Sequence, residues 1–482
     1  MADPLSILPL ALAAAGGRVD DAPCQQLIAA GLTLLQRSAP LVRALAGRRA
    51  AILLPTGPAF LTALAACDGR GAVLLNPLAA PPELAWQLQD AEVGAVITIA
   101  ALATHLPADT PMVLMDDVPR TARVVIEGRA KDVDLGSHHG LALSGTRDVE
   151  GHHEECVIVY TSAMAGRLRG ARLSHRNLLA NARSAVLAMG LTPDDHSLAL
   201  LPFAHLFGLT VSAAAPLLAG GRITTMARFN PVRALELIEQ QSITRLIGVP
   251  AIFAALVQAI ERRGVPATKH RLQTCICGGA PLSPTLQEQF AELTGVELRQ
   301  GYGLTEAAPV CLANTIAHDN RRGTLGVAMP DVAVTIRDPA TGAVCPTGVD
   351  GEICVRGPNV FMGYVRGATD GLAIRDGWLH TGDLGAADAD GVIVFRGLLK
   401  AMFTHNGFNI YPRELERVIG ELPGVLQVRV QAIPDPVRGH DIGVDVTGRV
   451  SESDVRRWCE TQLSLYKQPS LVHVRSPDDS PI

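Results

Sequence analysis

Short apolar runs separated by helix-length stretches fill most of this chain, and they restrict its fold more than any other feature. From Arg49 the text reads AAILL, a helical stretch from Pro58 to Cys67, AVLLN, a second from Pro82 to Asp90, then AVITI. Strands apolar on both faces, alternating with helices, imply a parallel sheet covered by helices on its two sides. The alternation resumes further on with SLALLP, RITTM, TRLIGVP, LQTCIC and VELRQ, with helices expected from Pro231, Ala251 and Ser283. From Thr324 the period shortens: VAVTIRD and GEICVRG lie between Gly, Pro and Asp turn signals, which is hairpin text. Past Arg396–Lys400 come NIYPRELE, two strand-like runs and a helix around Ser451–Gln462. The reading is therefore an α/β chain. A large unit, 1–396, holds two doubly wound βα subdomains plus a small β-barrel-like subdomain, and a small α+β unit, 397–482, follows it.

Composition narrows the function classes. Across 482 residues, 48% hydrophobic and 18% charged content describe a globular chain with a large core. A net charge of −5 gives no electrostatic case for nucleic acid or an anionic membrane. The nine cysteines include no CxxC pair, so free thiols in a reducing compartment are expected, with Cys275 and Cys277 on one strand face as core thiols. The apolar stretch Leu5 to Ala15 lacks a basic flank and is too short to span a bilayer, so it reads as the first packing element of a cytoplasmic protein. Paired histidines at His138–His139 and His152–His153 fall in a polar segment. Adjacent side chains point apart there, so a solvated linker is the reading over a metal site.

One stretch carries chemistry of its own: VIVYTSAMAGRLRGARLSHRNLLAN, Val157 to Asn181. It reads as a buried strand from Val157 to Tyr160, a small-residue basic loop from Thr161 to Gly170, and a helix from about Asn177. Backbone N–H groups, hydroxyls and a cation in such a loop hold phosphate in α/β proteins. No Gly-Lys-Ser/Thr follows Gly166 or Gly170, so this is not a Walker loop. Taken alone, the stretch fits a surface loop after a core strand better.

The stretch resembles the phosphate loop of the adenylate-forming superfamily, which includes acyl-CoA synthetases, peptide-synthetase adenylation domains and luciferases, and whose loop reads approximately YTSGTTGxPKG. Tyr160, Thr161, Ser162, Gly166 and Gly170 match, while Ala163, Met164, Ala165, Leu168 and Arg169 stand where that pattern has Gly, Thr, Thr, Pro and Lys. The resemblance extends over nearly the whole chain in at least six motifs, in order. LPFAHLFGL is similar to the family's LPxFHxxG, placing His205 and Phe207 at an acyl pocket together with Gly301 and Gly303. GGAPL places Gly279 and Ala280 at the nucleotide. QGYGLTEAAP implies that Tyr302 stacks on adenine, that Thr305 contacts phosphate or carboxylate, and that Glu306 is a magnesium ligand, for which a hard carboxylate oxygen is suited. Glu352, Gly363–Tyr364 and DGWLHTGDLG follow, with Asp383 as the ribose ligand. In GLLKAMFTHNGFNIYPRELE the resemblance makes Lys400 the hinge of a mobile lid and sets Gly407 beside a thiol tunnel.

The resemblance implies an ATP-dependent acid–thiol ligase: ATP and Mg2+ activate a small carboxylic acid as acyl-AMP, and CoA or the phosphopantetheine of an acyl carrier protein takes the acyl group. An aromatic content of 4% favours an aliphatic acid. Several departures fall on the adenylating half-reaction. Met164 and Ala165 lack hydroxyls, Leu398 replaces an arginine at the ribose, and Ala401 replaces an aspartate. LYKQPSLVHVRSPDDSPI matches the family at Tyr466, Lys467 and Pro469 but ends before its Gly-Lys, and Lys467 is a different, earlier lysine. A second reading is therefore a degenerate relative that binds an acyl or nucleotide ligand, or a partner protein, without turnover. A third keeps only the processing of a preformed adenylate.

Overall fold

Arg49–Leu53 pairs in parallel with both Ala72–Leu74 and Val93–Thr98, as their doubly apolar sequences demand. The computed structural model describes residues 7–67, 71–117, 119–136, 155–162, 168–264, 270–367, 374–399, 403–435 and 437–476. The first sheet has eight strands. Its order is Leu168–Ser174, Glu155–Ser162, Ala72–Leu74, Arg49–Leu53, Val93–Thr98, Met112–Met115, Thr121–Ile126 and Arg129–Asp134. The last two close one side as an antiparallel hairpin whose outer strand, RAKDVD, is charged and mostly exposed. Charged residues on an edge strand discourage pairing with another chain.

The second sheet has nine strands around a parallel core formed by Leu298–Gly303, Thr274–Cys277, Arg245–Gly248, His196–Ala199 and Arg222–Thr225. The chain start contributes to this sheet: Arg18–Val19 pairs in parallel with Arg222 and Ile223. Between the sheets, the helix Cys24–Arg37 packs on Pro58–Ala66 at close range. A Cβ on Gly31 would lie 2.1 Å from the Thr62 carbonyl oxygen, so only glycine permits that approach.

The supposed phosphate loop differs from the sequence reading. Leu168–Ser174 is a strand, antiparallel to Glu155–Ser162, with Arg169 opposite Thr161 and Gly170 opposite Tyr160. The arginines at 169 and 172 disguise an otherwise buried strand, and Arg169 is only 6% exposed. Residues 163–167, including Gly166, and the four paired histidines lie outside the described residues. The helix that follows starts at His175, earlier than expected, because Ser174 and Asn177 form a reciprocal capping box. We predict that Ser174→Ala lowers stability by about 1 kcal/mol, read as a shift in the urea midpoint at unchanged slope. From this helix Asn181 bonds the backbone of Val310 in the second sheet, and Asn177 donates to the carbonyls of Pro358 and Val360.

The hairpin text folds as five antiparallel strands between Ala333 and Leu398. Beyond them, residues 403–475 form another five-stranded sheet with two helices, Pro412–Gly420 and Glu452–Gln462, around an apolar core of their own that includes Ile410, Leu415, Val444 and Val455. A buried ion cluster joins this region to the first sheet's helices: Lys467 Nζ lies 2.7 Å from Glu414 Oε1 and 3.1 Å from Glu83 Oε2. All nine cysteines are free thiols, and eight are buried. Among the described residues no helix is long and apolar enough to cross a membrane.

Candidate functional site

Parallel strands end where their connections begin, and the carboxyl ends of a doubly wound sheet are where ligands sit. Here the ends of His196–Ala199, Arg245–Gly248, Thr274–Cys277 and Leu298–Gly303 deliver four loops to one side. In the first, Gly208 is required by packing, because a Cβ there would lie 2.1 Å from the Pro202 carbonyl oxygen. The loop folds back on itself, with the Phe207 N–H donating to His205 Nδ1 at 3.2 Å. The His205 ring reaches the surface, yet desolvation by the protein around it lowers its pKa. Phe207 packs toward Gly278, where a Cβ would be 3.1 Å from its ring, so this glycine leaves room for the aromatic.

Leu298–Gly303 runs directly into the turn Thr305–Ala307, and this junction carries the densest chemistry. The Tyr302 hydroxyl donates to Asp383 Oδ2 at 2.6 Å. Burial and then the Asp383 charge push the phenol pKa well up, so Tyr302 stays a neutral donor. Asp383 comes from the antiparallel sheet, on Trp378–Ala387, and is held from behind. Its own N–H donates to Thr381 Oγ1, and Glu352 accepts both the Gly382 N–H at 2.8 Å and a hydrogen bond from His380 Nδ1 at 2.7 Å. Directly opposite Asp383 in the ladder stands Leu398.

Glu306 is buried at 6% exposure, and its Oε1 accepts from Thr161 Oγ1 at 3.2 Å and from the Tyr364 hydroxyl at 2.8 Å. Arg169 places its guanidinium 5.9 Å from the centre of the Tyr364 ring, and burial lowers its pKa from the usual arginine value. The structure thus brings Thr161, Arg169 and Glu306 together around Tyr364, and Tyr302 together with Asp383. Gly303 has a packing reason to be glycine, since a Cβ would meet the Pro309 carbonyl oxygen at 1.9 Å. Gly301 pairs with Ala313 in the sheet. Ser162 sits opposite Leu168 at the hairpin end. Tyr160, a motif match, points elsewhere: its hydroxyl donates to Asp90 at 2.7 Å, anchoring a helix.

The C-terminal region meets this site at two places. Gly407, in the left-handed region at φ +81°, abuts Val249; a Cβ on it would be 3.2 Å from that side chain. Val249 is also the neighbour of Gly279 in the GGAPL loop, which continues through Ala280. Tyr411 has its pKa raised by burial and then by the charges of Glu306 and Asp383, so its phenol lies near both carboxylates. Sequence reasoning assigned no role to Tyr364 or Tyr411. The tyrosine beside the family-like Gly363, and the NIYP tyrosine, were the available signals. Lys400 lies outside the described residues.

Comparison with known proteins gives consistent matches. A family model described as AMP-binding enzyme matches residues 41–365. A feruloyl-CoA synthase from an Amycolatopsis species is 34% identical over 436 residues, covering 88% of this chain and 84% of that protein. A long-chain-fatty-acid–CoA ligase from Bacillus subtilis (strain 168) is 27% identical over 462 residues, covering 89% and 82%. Among solved structures, ATP-bound MatB from Rhodopseudomonas palustris superposes with a TM-score of 0.68 at 28% identity, over 97% of this chain and 92% of that one.

Proposed function

From the premise that the chain belongs to the AMP-binding enzyme family, we propose the following reaction and residue roles. The protein is an ATP-dependent acid–CoA ligase. A carboxylate oxygen bonds to the α-phosphorus of ATP as the bond to the bridging oxygen breaks, releasing pyrophosphate and leaving acyl-AMP. The sulfur of CoA then bonds to the acyl carbon, the carbon–oxygen bond to AMP breaks, and the thiol proton leaves to solvent.

The observation that carries this reading is the convergence of Thr161, Glu306, Tyr302 and Asp383, from three separate segments, on the carboxyl ends of the second sheet. Tyr302 offers its ring face to adenine while its hydroxyl fixes Asp383, whose carboxylate accepts from the ribose hydroxyls. By the family's motifs, Ser162, Gly166, Gly279 and Ala280 are assigned to the nucleotide, Arg169 to a cation toward the phosphates, and Thr305 to a hydrogen bond with phosphate or carboxylate. Glu306, which is buried, and the part-buried Thr161 hydroxyl are hard oxygen donors in one place, which fits Mg2+. That ion, when bound, supplies charge neutralisation on the phosphate oxygens. His205, Phe207, Gly301 and Gly303 border the acyl group. Gly407, with no side chain, lets the C-terminal region approach Val249 where a pantetheine arm would pass.

Two units, 1–396 and 397–482 with a hinge at Lys400, belong to this proposal; the separate core around Ile410 and Val444 supports them, while Gly397 and Leu398 still pair within the large unit's antiparallel sheet. An aliphatic acid is the finer assignment, supported by the sparse aromatic content, with CoA or a carrier phosphopantetheine as acceptor. Leu398 opposite Asp383 favours a second reading, in which only a preformed adenylate is processed, because an aliphatic side chain offers no donor there.

Pyrophosphate release with Mg-ATP and a panel of fatty, short dicarboxylic and hydroxycinnamic acids decides between the readings. Acid-dependent release, followed by CoA thioester, is the expected result, and the best acid identifies the class. A folded protein that releases nothing yet converts synthetic acyl-AMP to thioester would establish the second reading instead.

A further inference from the structure

We propose that Tyr364 is a positioning residue for Glu306, setting the direction in which that carboxylate meets Mg2+; this rests on the ligase reading above. No motif role attaches to Tyr364, yet its side chain meets Glu306, Arg169 and Phe361 at the phosphate end of the site. Its hydroxyl donates to Glu306 Oε1 at 2.8 Å, on the same oxygen that accepts from Thr161. Two neutral donors on one oxygen fix the carboxylate's torsion and direct its second oxygen along a defined line. Hydrogen bonds to an ionised acceptor are the strong ones, so this constraint is substantial. The face of the same ring carries the Arg169 guanidinium, and Phe361 packs edge-on against it at 4.9 Å between centres.

The backbone around Tyr364 is strapped to both partners. The Phe361 N–H donates to the Glu306 carbonyl, the Arg172 N–H to Gly363 and the Met362 N–H to Arg172, each at 2.9 Å, and Tyr364 itself bridges to Ala171. Asn359 adds a hydrogen bond to the Ala307 carbonyl at 2.9 Å. The segment therefore ties the strand bearing Arg169 to the turn bearing Glu306. Its phenol meets both ionised side chains with different parts of itself, oxygen to the anion and ring face to the cation.

The test is equilibrium binding of ATP with and without Mg2+, for the wild type, Tyr364→Phe and Tyr364→Ala. Phe keeps the ring, its contact with Phe361 and the surface under Arg169, and removes only the oxygen. The expected result is that Tyr364→Phe leaves Mg2+-free ATP affinity within about twofold but cuts the gain from Mg2+ by about tenfold. Tyr364→Ala should weaken binding under both conditions, because it also removes the cation's support. A Tyr364→Phe protein with the full Mg2+ gain overturns the proposal. So does one whose ATP affinity falls equally with and without the ion, which is the signature of a packing role. If the wild type binds ATP without any Mg2+ gain, or not at all, the ligase reading fails first and this inference with it.

Discussion

Glu306→Gln should lower acid-dependent pyrophosphate release by about two to three orders of magnitude at saturating ATP. The substitution keeps the side chain's volume and an oxygen able to accept from Thr161 and Tyr364, so the local packing at this buried position persists. What it removes is the negative charge that a hard cation requires. The loss should be in kcat and should not be recovered by raising Mg2+ from 1 to about 50 mM, since an amide oxygen is a poor replacement for a carboxylate at such an ion. Initial rates over that range give the answer. A variant with more than a tenth of wild-type activity at every Mg2+ concentration would remove Glu306 from the metal.

The second large effect is on stability. Lys467 is 1% exposed, and its ammonium is shared by Glu414 of its own region and Glu83 of a helix on the first sheet. Ser464 also donates to Glu83, at 3.1 Å. Burial disfavours the charged lysine, but Tyr466, Glu414 and Glu83 outweigh that penalty and hold its pKa above the ordinary value. Lys467→Met leaves two carboxylates buried without their cation, which costs about 3–5 kcal/mol. Calorimetry should show the melting temperature falling by several degrees, and limited proteolysis should release the C-terminal region sooner. Glu83→Gln should cost less, because Lys467 keeps Glu414. The sign with pH follows from the raised pKa: the lysine's contribution is complete below the ordinary lysine value and fades only as pH climbs through the folded one, well into the alkaline range. Between pH 6 and 9 the deficit of Lys467→Met should therefore be constant so far as this lysine is concerned. A melting temperature within one degree of wild type would show the cluster to be energetically idle.

The parts of the fold legible in the sequence are those fixed by local pattern. AAILL and AVITI read as buried parallel strands because each face of such a strand is covered, and Gly-rich turns exposed the antiparallel sheet beyond Thr324. The hairpin Thr121–Ile126 with Arg129–Asp134 was not legible, since an exposed edge strand carries charges that hide its period. The same masking hid Leu168–Ser174, so Arg169 was read on a loop where the chain holds it in a ladder. Of the candidate site, Tyr302, Glu306 and Asp383 were named through motifs. Tyr364, Tyr411 and the Lys467–Glu83 pair were not, because their meaning lies in partners far off in sequence: Tyr364 with Glu306, Tyr411 near Asp383, Lys467 with Glu83. No spacing rule connects such residues. Only the folded backbone does.

The pairing of Arg18–Val19 with Arg222–Ile223 has a consequence for how the chain is made. Arg18–Val19 belongs to the second sheet, and its parallel partner there is synthesised about 200 residues later. At roughly 5–20 residues per second, that is a wait of about 10–40 s, during which Arg18–Val19 has only its local hairpin partner, Ala22–Pro23, to pair with. The first sheet's central strands, between Arg49 and Thr98, emerge inside that interval and can pair among themselves. The newborn protein therefore carries Leu8–Ala14 and this small hairpin past an already forming sheet before the second sheet can take them up. Chaperone engagement during synthesis should concentrate on that segment until Arg222 has cleared the exit tunnel.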